Sequence, residues 1–108
     1  MIDKIYDTYG SRTLSADQLR AATERALGIV FDSHESSFSG SYYFAGDLRG
    51  ENFVIQANDV AVDDDGVLRP DLATYSVILL VNATTRADEL RTRLKEIEDL
   101  EFVKSEVP

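Results

Sequence analysis

Residues 38–58 read FSGSYYFAGDLRGENFVIQAN, and the alternation in this stretch decides the fold. Phe38, Tyr42 and Phe44 fall on one side of an extended strand, with Gly40 between them, and Ser41, Tyr43 and Ala45 fall on the other, because successive strand side chains point to opposite faces. Asp47-Leu48-Arg49-Gly50 supplies a hairpin loop, rich in residues that favour turns. The return strand, Glu51 to Asn58, puts Phe53, Ile55 and Ala57 on one face and Asn52, Val54, Gln56 and Asn58 mainly on the other. The pair is an antiparallel hairpin in the middle of the chain.

Outward from this hairpin the signals alternate between helix and strand. Ser15 with Gln18 three residues on is a capping box, in which each side chain satisfies the other's free backbone donor. Leu19, Ala22, Ala26 and Leu27 follow as an apolar stripe, and Gly28 is a natural terminator, so a helix is predicted over 15–27. Ile29-Val30-Phe31 starts a strand directly after it. Tyr75-Ser76-Val77-Ile78-Leu79-Leu80-Val81 is the most apolar run; its length and β-branching predict a strand covered on both faces or central in the sheet. Thr85 as N-cap, with Ala87, Leu90, Leu94 and Ile97 as the stripe, predicts a second helix, and Leu100 to Val103 a short last strand. Near the N-terminus, Ile2, Ile5, Tyr6 and Tyr9 stand at i, i+3, i+4 and i+7, which predicts a short helix before Gly10. The expected architecture is one α+β domain over 1–108. Its largely antiparallel sheet has four to five strands, with two main helices on one face. The opposite face is left open, and Tyr43 is expected there.

Composition narrows the function. The chain has 108 residues, no cysteine, and 20 acidic against 11 basic side chains, for a net charge of −9. Phosphate recognition needs clustered Lys and Arg, so nucleic acid is excluded as a direct partner. Disulfide and thiolate chemistry are excluded outright. No apolar run approaches the roughly 20 residues of a membrane helix, and Lys4 and Asp7 put charge where a signal peptide needs an apolar stretch. The charge is unevenly spread: residues 32–71 carry nine acids against Arg49 and Arg69 alone. Such a segment is either a set of solvated turns or an acidic face that suits a basic partner.

Reactive chemistry finds little support. His34-Glu35-Ser36-Ser37 begins like a zinc-protease motif but lacks the second histidine one helical turn on. His34 reads as a partly exposed strand residue. Asp63, Asp65 and Gly66 imitate the middle of a calcium loop, yet Ala61 and Leu72 would occupy its first and twelfth positions, where the loop needs acids. No phosphate-binding glycine loop and no nucleophile elbow occurs. The expectation is a protein that is no enzyme, with no cofactor and no metal.

The stretch Leu27-Gly28-Ile29-Val30-Phe31-Asp32-Ser33-His34-Glu35-Ser36-Ser37-Phe38-Ser39-Gly40-Ser41-Tyr42-Tyr43, followed by Glu51 to Asn58, resembles small bacterial immunity proteins of polymorphic toxin and contact-dependent inhibition systems. The likeness lies in a helix closing on leucine-glycine and an acidic-serine strand. A glycine before paired tyrosines and an apolar strand ending in glutamine and asparagine complete it. It covers most of the chain from Leu14 onward. The resemblance implies a cytoplasmic, non-catalytic protein that binds and neutralises a cognate toxin domain. A basic nuclease would suit the acidic centre. Tyr43 as anchor, flanked by Glu35, Asp47, Glu51 and Asp59, with the Asp63-Asp64-Asp65 loop beside them, is the expected partner-binding set. The alternative is a structural or regulatory module that oligomerises through its open sheet.

Overall fold

The computed structural model describes residues 4–36, 40–47, 49–57 and 75–107. Among them the order is β1 (Ile5–Ser11), α1 (Ala16–Leu27), β2 (Asp32–Ser36), β3 (Gly40–Gly46), β4 (Asn52–Ala57), β5 (Val77–Thr84), α2 (Ala87–Leu94) and β6 (Glu101–Glu106). The strands form one sheet in the order β2-β3-β4-β5-β1-β6, with every neighbouring pair antiparallel. The fold is α+β as expected, with six described strands instead of four to five.

The extra strand is the N-terminal segment, where a helix was predicted. A helix this short is marginal without help. As β1 the same residues pair with β5 on one side and β6 on the other. The helical stripe misassigned the buried positions: Tyr6 is 37% exposed, whereas Asp7 is 2% exposed. Period two is the true pattern, with Asp7, Tyr9 and Ser11 turned to the helices.

Helix α1 forms as its signals require. The Ser15 side chain accepts from the Gln18 N–H, and the Gln18 side chain accepts from the Ser15 N–H. Gly28 closes the helix in the left-handed region at φ 69°, donating to the Glu24 carbonyl, a conformation that glycine adopts without a Cβ clash. Helix α2 starts one residue later than predicted. Arg86, not Thr85, is its N-cap, and the Thr84 hydroxyl accepts the Arg86 N–H at 3.1 Å. Ala87, Leu90 and Leu94 are its buried face, as expected. The helix ends at Leu94, so Ile97 reaches the core from the following turn.

Both helices lie on one face of the sheet. Between them and the sheet sit Tyr9, Leu19, Phe31, Ala45, Phe53, Ile55, Val77, Leu79, Val81, Leu90 and Leu94. Strand β5 is central, between β4 and β1. Its other face is also partly covered: Ile78 is 0% exposed although it points away from the helices. Beside it the Tyr75 ring lies so close over Gly10 that a Cβ there would stand 2.6 Å from the ring.

Candidate functional site

Hairpin register determines what each face of β3 presents. Gly46 pairs with Asn52, Ala45 with Phe53, Phe44 with Val54, Tyr43 with Ile55 and Tyr42 with Gln56. Phe53 and Ile55 belong to the core, so Ala45 and Tyr43 must share the helix-covered face and Tyr42 and Phe44 the outer one. The alternation expected in β3 is present, but the faces are reversed. Tyr43 does not stand on the open face: it packs partly buried against the core. Its hydroxyl donates to the Asp17 carboxylate on α1, and the Arg20 guanidinium lies 5.3 Å from its ring centre. The bond to Asp17 raises the Tyr43 pKa, because losing the proton would set two anions together.

The outer face holds what the sequence reading overlooked. Strand β2 pairs His34 with Tyr42 and Asp32 with Phe44. His34 stacks on Tyr42 with ring centres 5.4 Å apart and planes 17° apart. It meets Phe44 edge-on at 6.2 Å and 88°. Both geometries are favourable for aromatic pairs. Val30, 78% exposed, stands at the entrance to β2. These residues, with Asp32 and Asp47, line an open groove of about 550 Å³. The register of a five-residue hairpin loop against Phe53 and Ile55 was the signal that could have placed Tyr42 and Phe44 here.

The expected acidic set separates under the geometry. Asp47 is exposed at one end of the groove, and its carboxylate accepts the Arg49 N–H at 3.0 Å. Asp32 is exposed on β2. Neither aspartate makes an ion pair among the described residues. Glu51 is not available to a partner: it accepts from Arg86 Nε at 2.9 Å and Nη2 at 2.7 Å, and from the Thr84 hydroxyl at 2.6 Å. The Arg86 bonds hold its carboxyl below the usual range against the opposing effect of burial, and Arg86 is raised in turn. Glu35 lies on β2 opposite Ser41. Asp59, Asp63, Asp64 and Asp65 lie outside the described residues.

Two asparagines brace the groove's turn. Asn52 Nδ2 donates to the carbonyls of Asp47 and Gly50, and Asn82 Nδ2 donates to Asn52 Oδ1 at 3.0 Å. Gly46 at φ 103° passes under Glu51 so closely that a Cβ would sit 2.5 Å from the Glu51 carbonyl. Glycine is the residue this turn accepts. The aromatic wall therefore stands on a braced hairpin. Among the described residues no three of His, Cys, Asp or Glu gather as metal ligands, and no helix is long and apolar enough to cross a membrane.

Strand order and groove together describe an α+β protein with an aromatic surface between two carboxylates that make no ion pair among the described residues. A scan against protein-family models finds no match, and neither does a search of the curated proteins.

Proposed function

We propose that this chain is a non-catalytic immunity protein that binds a cognate basic toxin domain through the outer face of β2 and β3. The observation that carries the reading is the groove itself. His34, Tyr42 and Phe44 form an aromatic wall, and Asp32 and Asp47 flank it with no counter-charge among the described residues. Aromatic anchors supply affinity where they are desolvated. Carboxylates in a chain of net charge −9 steer a basic partner to them and set its orientation. The family resemblance supports the same reading. The anchor is Tyr42 with Phe44, since Tyr43 is occupied with α1.

The test is binding to the product of the neighbouring gene, measured by surface plasmon resonance at several salt concentrations. Asp32→Lys together with Asp47→Asn, which keeps the acceptor that caps the turn, should slow association about tenfold or more at low salt. Tyr42→Ala should speed dissociation. An unchanged rate pair in both variants would exclude this face. A stable homo-oligomer in sedimentation that protects Tyr42 would point instead to self-association through the sheet.

A further inference from the structure

A second cavity lies at the opposite end of the sheet. It is a pocket of about 240 Å³ between β1, β6 and α2, lined by Tyr9, Arg91, Leu94, Lys95, Leu100 and Phe102. An apolar cavity of roughly 150 Å³ is enough to take benzene, so this one has room for a ring and one small polar group. Its walls divide by chemistry. Leu94, Leu100 and Phe102 are apolar, while Arg91 and Lys95 are cations, and no carboxylate lines it. That is unusual in a chain carrying 20 acids and 11 bases.

Two features show where a ligand's polar group would go. Tyr9 is 4% exposed, and its hydroxyl makes no hydrogen bond of normal geometry among the described residues, although the Arg91 guanidinium stands nearby. A buried hydroxyl without a partner is costly, and one lining a pocket has a donor to offer. The Arg91 guanidinium stands near enough to oppose the rise in the Tyr9 pKa to about 12, which burial mainly causes. Tyr9 therefore keeps its proton at any ordinary pH. Arg91 is held in place: Nε and Nη2 donate to Asp7 at 2.9 and 3.0 Å, and Nη2 also to Ser105 Oγ. Its planar group lies 5.0 Å from the Phe102 ring centre. Lys95, by contrast, makes no ion pair among the described residues. Its charge is the one at this pocket left for an anion.

We propose that this pocket binds a small carboxylate carried on a compact apolar ring. The ring packs against Leu94, Leu100 and Phe102. The carboxylate meets the Lys95 ammonium and accepts a hydrogen bond from the Tyr9 hydroxyl. Lys95 supplies charge selectivity and Tyr9 supplies the directional bond.

Benzoate is the probe, titrated into the full chain and followed by amide NMR, with benzamide and benzylamine as neutral and cationic counterparts. The expected result is saturable benzoate shifts at Tyr9, Leu94, Leu100 and Phe102, with benzamide binding about tenfold more weakly. Lys95→Met, a surface change, should weaken benzoate about tenfold and leave benzamide unaltered. Tyr9→Phe should weaken benzoate while leaving the melting temperature equal or higher, because it removes an unsatisfied buried group. The proposal is overturned if no saturable shift appears at these residues. Benzamide or benzylamine binding as tightly as benzoate, or Lys95→Met leaving benzoate affinity unchanged, would overturn it too.

Discussion

Replacing Arg91 by alanine should cost far more than replacing its partner. Asp7 sits on β1 with its side chain 1% exposed, and Arg91 reaches it from α2 with a side chain 36% exposed. The two bonds of the fork are 2.9 and 3.0 Å long. Removing one member of a buried ion pair costs roughly 3–5 kcal/mol, because the other is left charged without compensation. The two ends of this pair are not equivalent. Arg91→Ala strands a carboxylate with no path to water. Asp7→Asn strands a guanidinium that is already a third exposed and still bonded to Ser105. The expected cost is therefore about 3 kcal/mol for Arg91→Ala, at the low end because one partner is partly solvated. For Asp7→Asn it is about 1–2 kcal/mol. The first is a large share of the roughly 5–15 kcal/mol that holds a domain of this size together. Urea unfolding at neutral pH measures both, with an unchanged slope confirming that only stability moved. The double variant should lose less than the two costs combined, by about 1–3 kcal/mol of coupling. Arg91→Ala costing less than Asp7→Asn would refute the claim that the buried carboxylate is the expensive end.

Two further outcomes follow from the turn and the bulge. Glu51 has a folded pKa below its unfolded value of about 4.3, so its contribution is present above that pH and lost as pH falls through the folded value. Urea midpoints taken from neutral to acid pH should fall less steeply in Glu51→Gln than in the parent, from a lower starting stability. Ala83 stands in the left-handed region at φ 54°, where β5 places two residues, Asn82 and Ala83, between its paired Val81 and Thr84 against one of β1, Tyr6, between Asp7 and Ile5. A Cβ in that region costs about 1–2 kcal/mol, and glycine's extra freedom when unfolded offsets about 0.5–1 kcal/mol of the relief. Ala83→Gly should therefore be neutral to about 1 kcal/mol stabilising in thermal melts, and a clear loss would mean that the alanine methyl packs usefully.

Most of the fold was legible where local chemistry and tertiary packing agree. The Ser15–Gln18 capping box and Gly28 bound α1 as read, since both depend on the chain's own neighbouring groups. The apolar run after Tyr75 forms the central strand β5, where Val77, Ile78, Leu79 and Val81 are all but fully buried. The N-terminal segment failed because its decisive feature is non-local. Asp7 looks like a solvated residue until Arg91, 84 residues away, neutralises it in the interior. Arg86 as N-cap of α2 was hidden for a similar reason: Glu51 holds it from the distant turn between β3 and β4. The groove was half legible. The period of β3 was right, and only the parity was wrong.

That parity matters more than a single misplaced tyrosine. In a strand of three consecutive aromatics, one register step exchanges which face is buried, so the residue expected to bind and those expected to pack change places together. The arbiter lies on the neighbouring strand. Phe53 and Ile55 have the apolar face that must go inward, and their partners Ala45 and Tyr43 go with them. The same sorting applies to the acids. Net charge alone treats Asp32, Asp47 and Glu51 as one negative field, but Glu51 is spent on Arg86 and Thr84 inside the fold. A carboxylate that already holds an internal cation offers a partner little. Those with none among the described residues, Asp32 and Asp47, stand beside the aromatic wall. On the proposed reading, affinity at this face rests on a few ring contacts, and its salt dependence on two charges, far fewer than the nine acids of residues 32–71 would suggest.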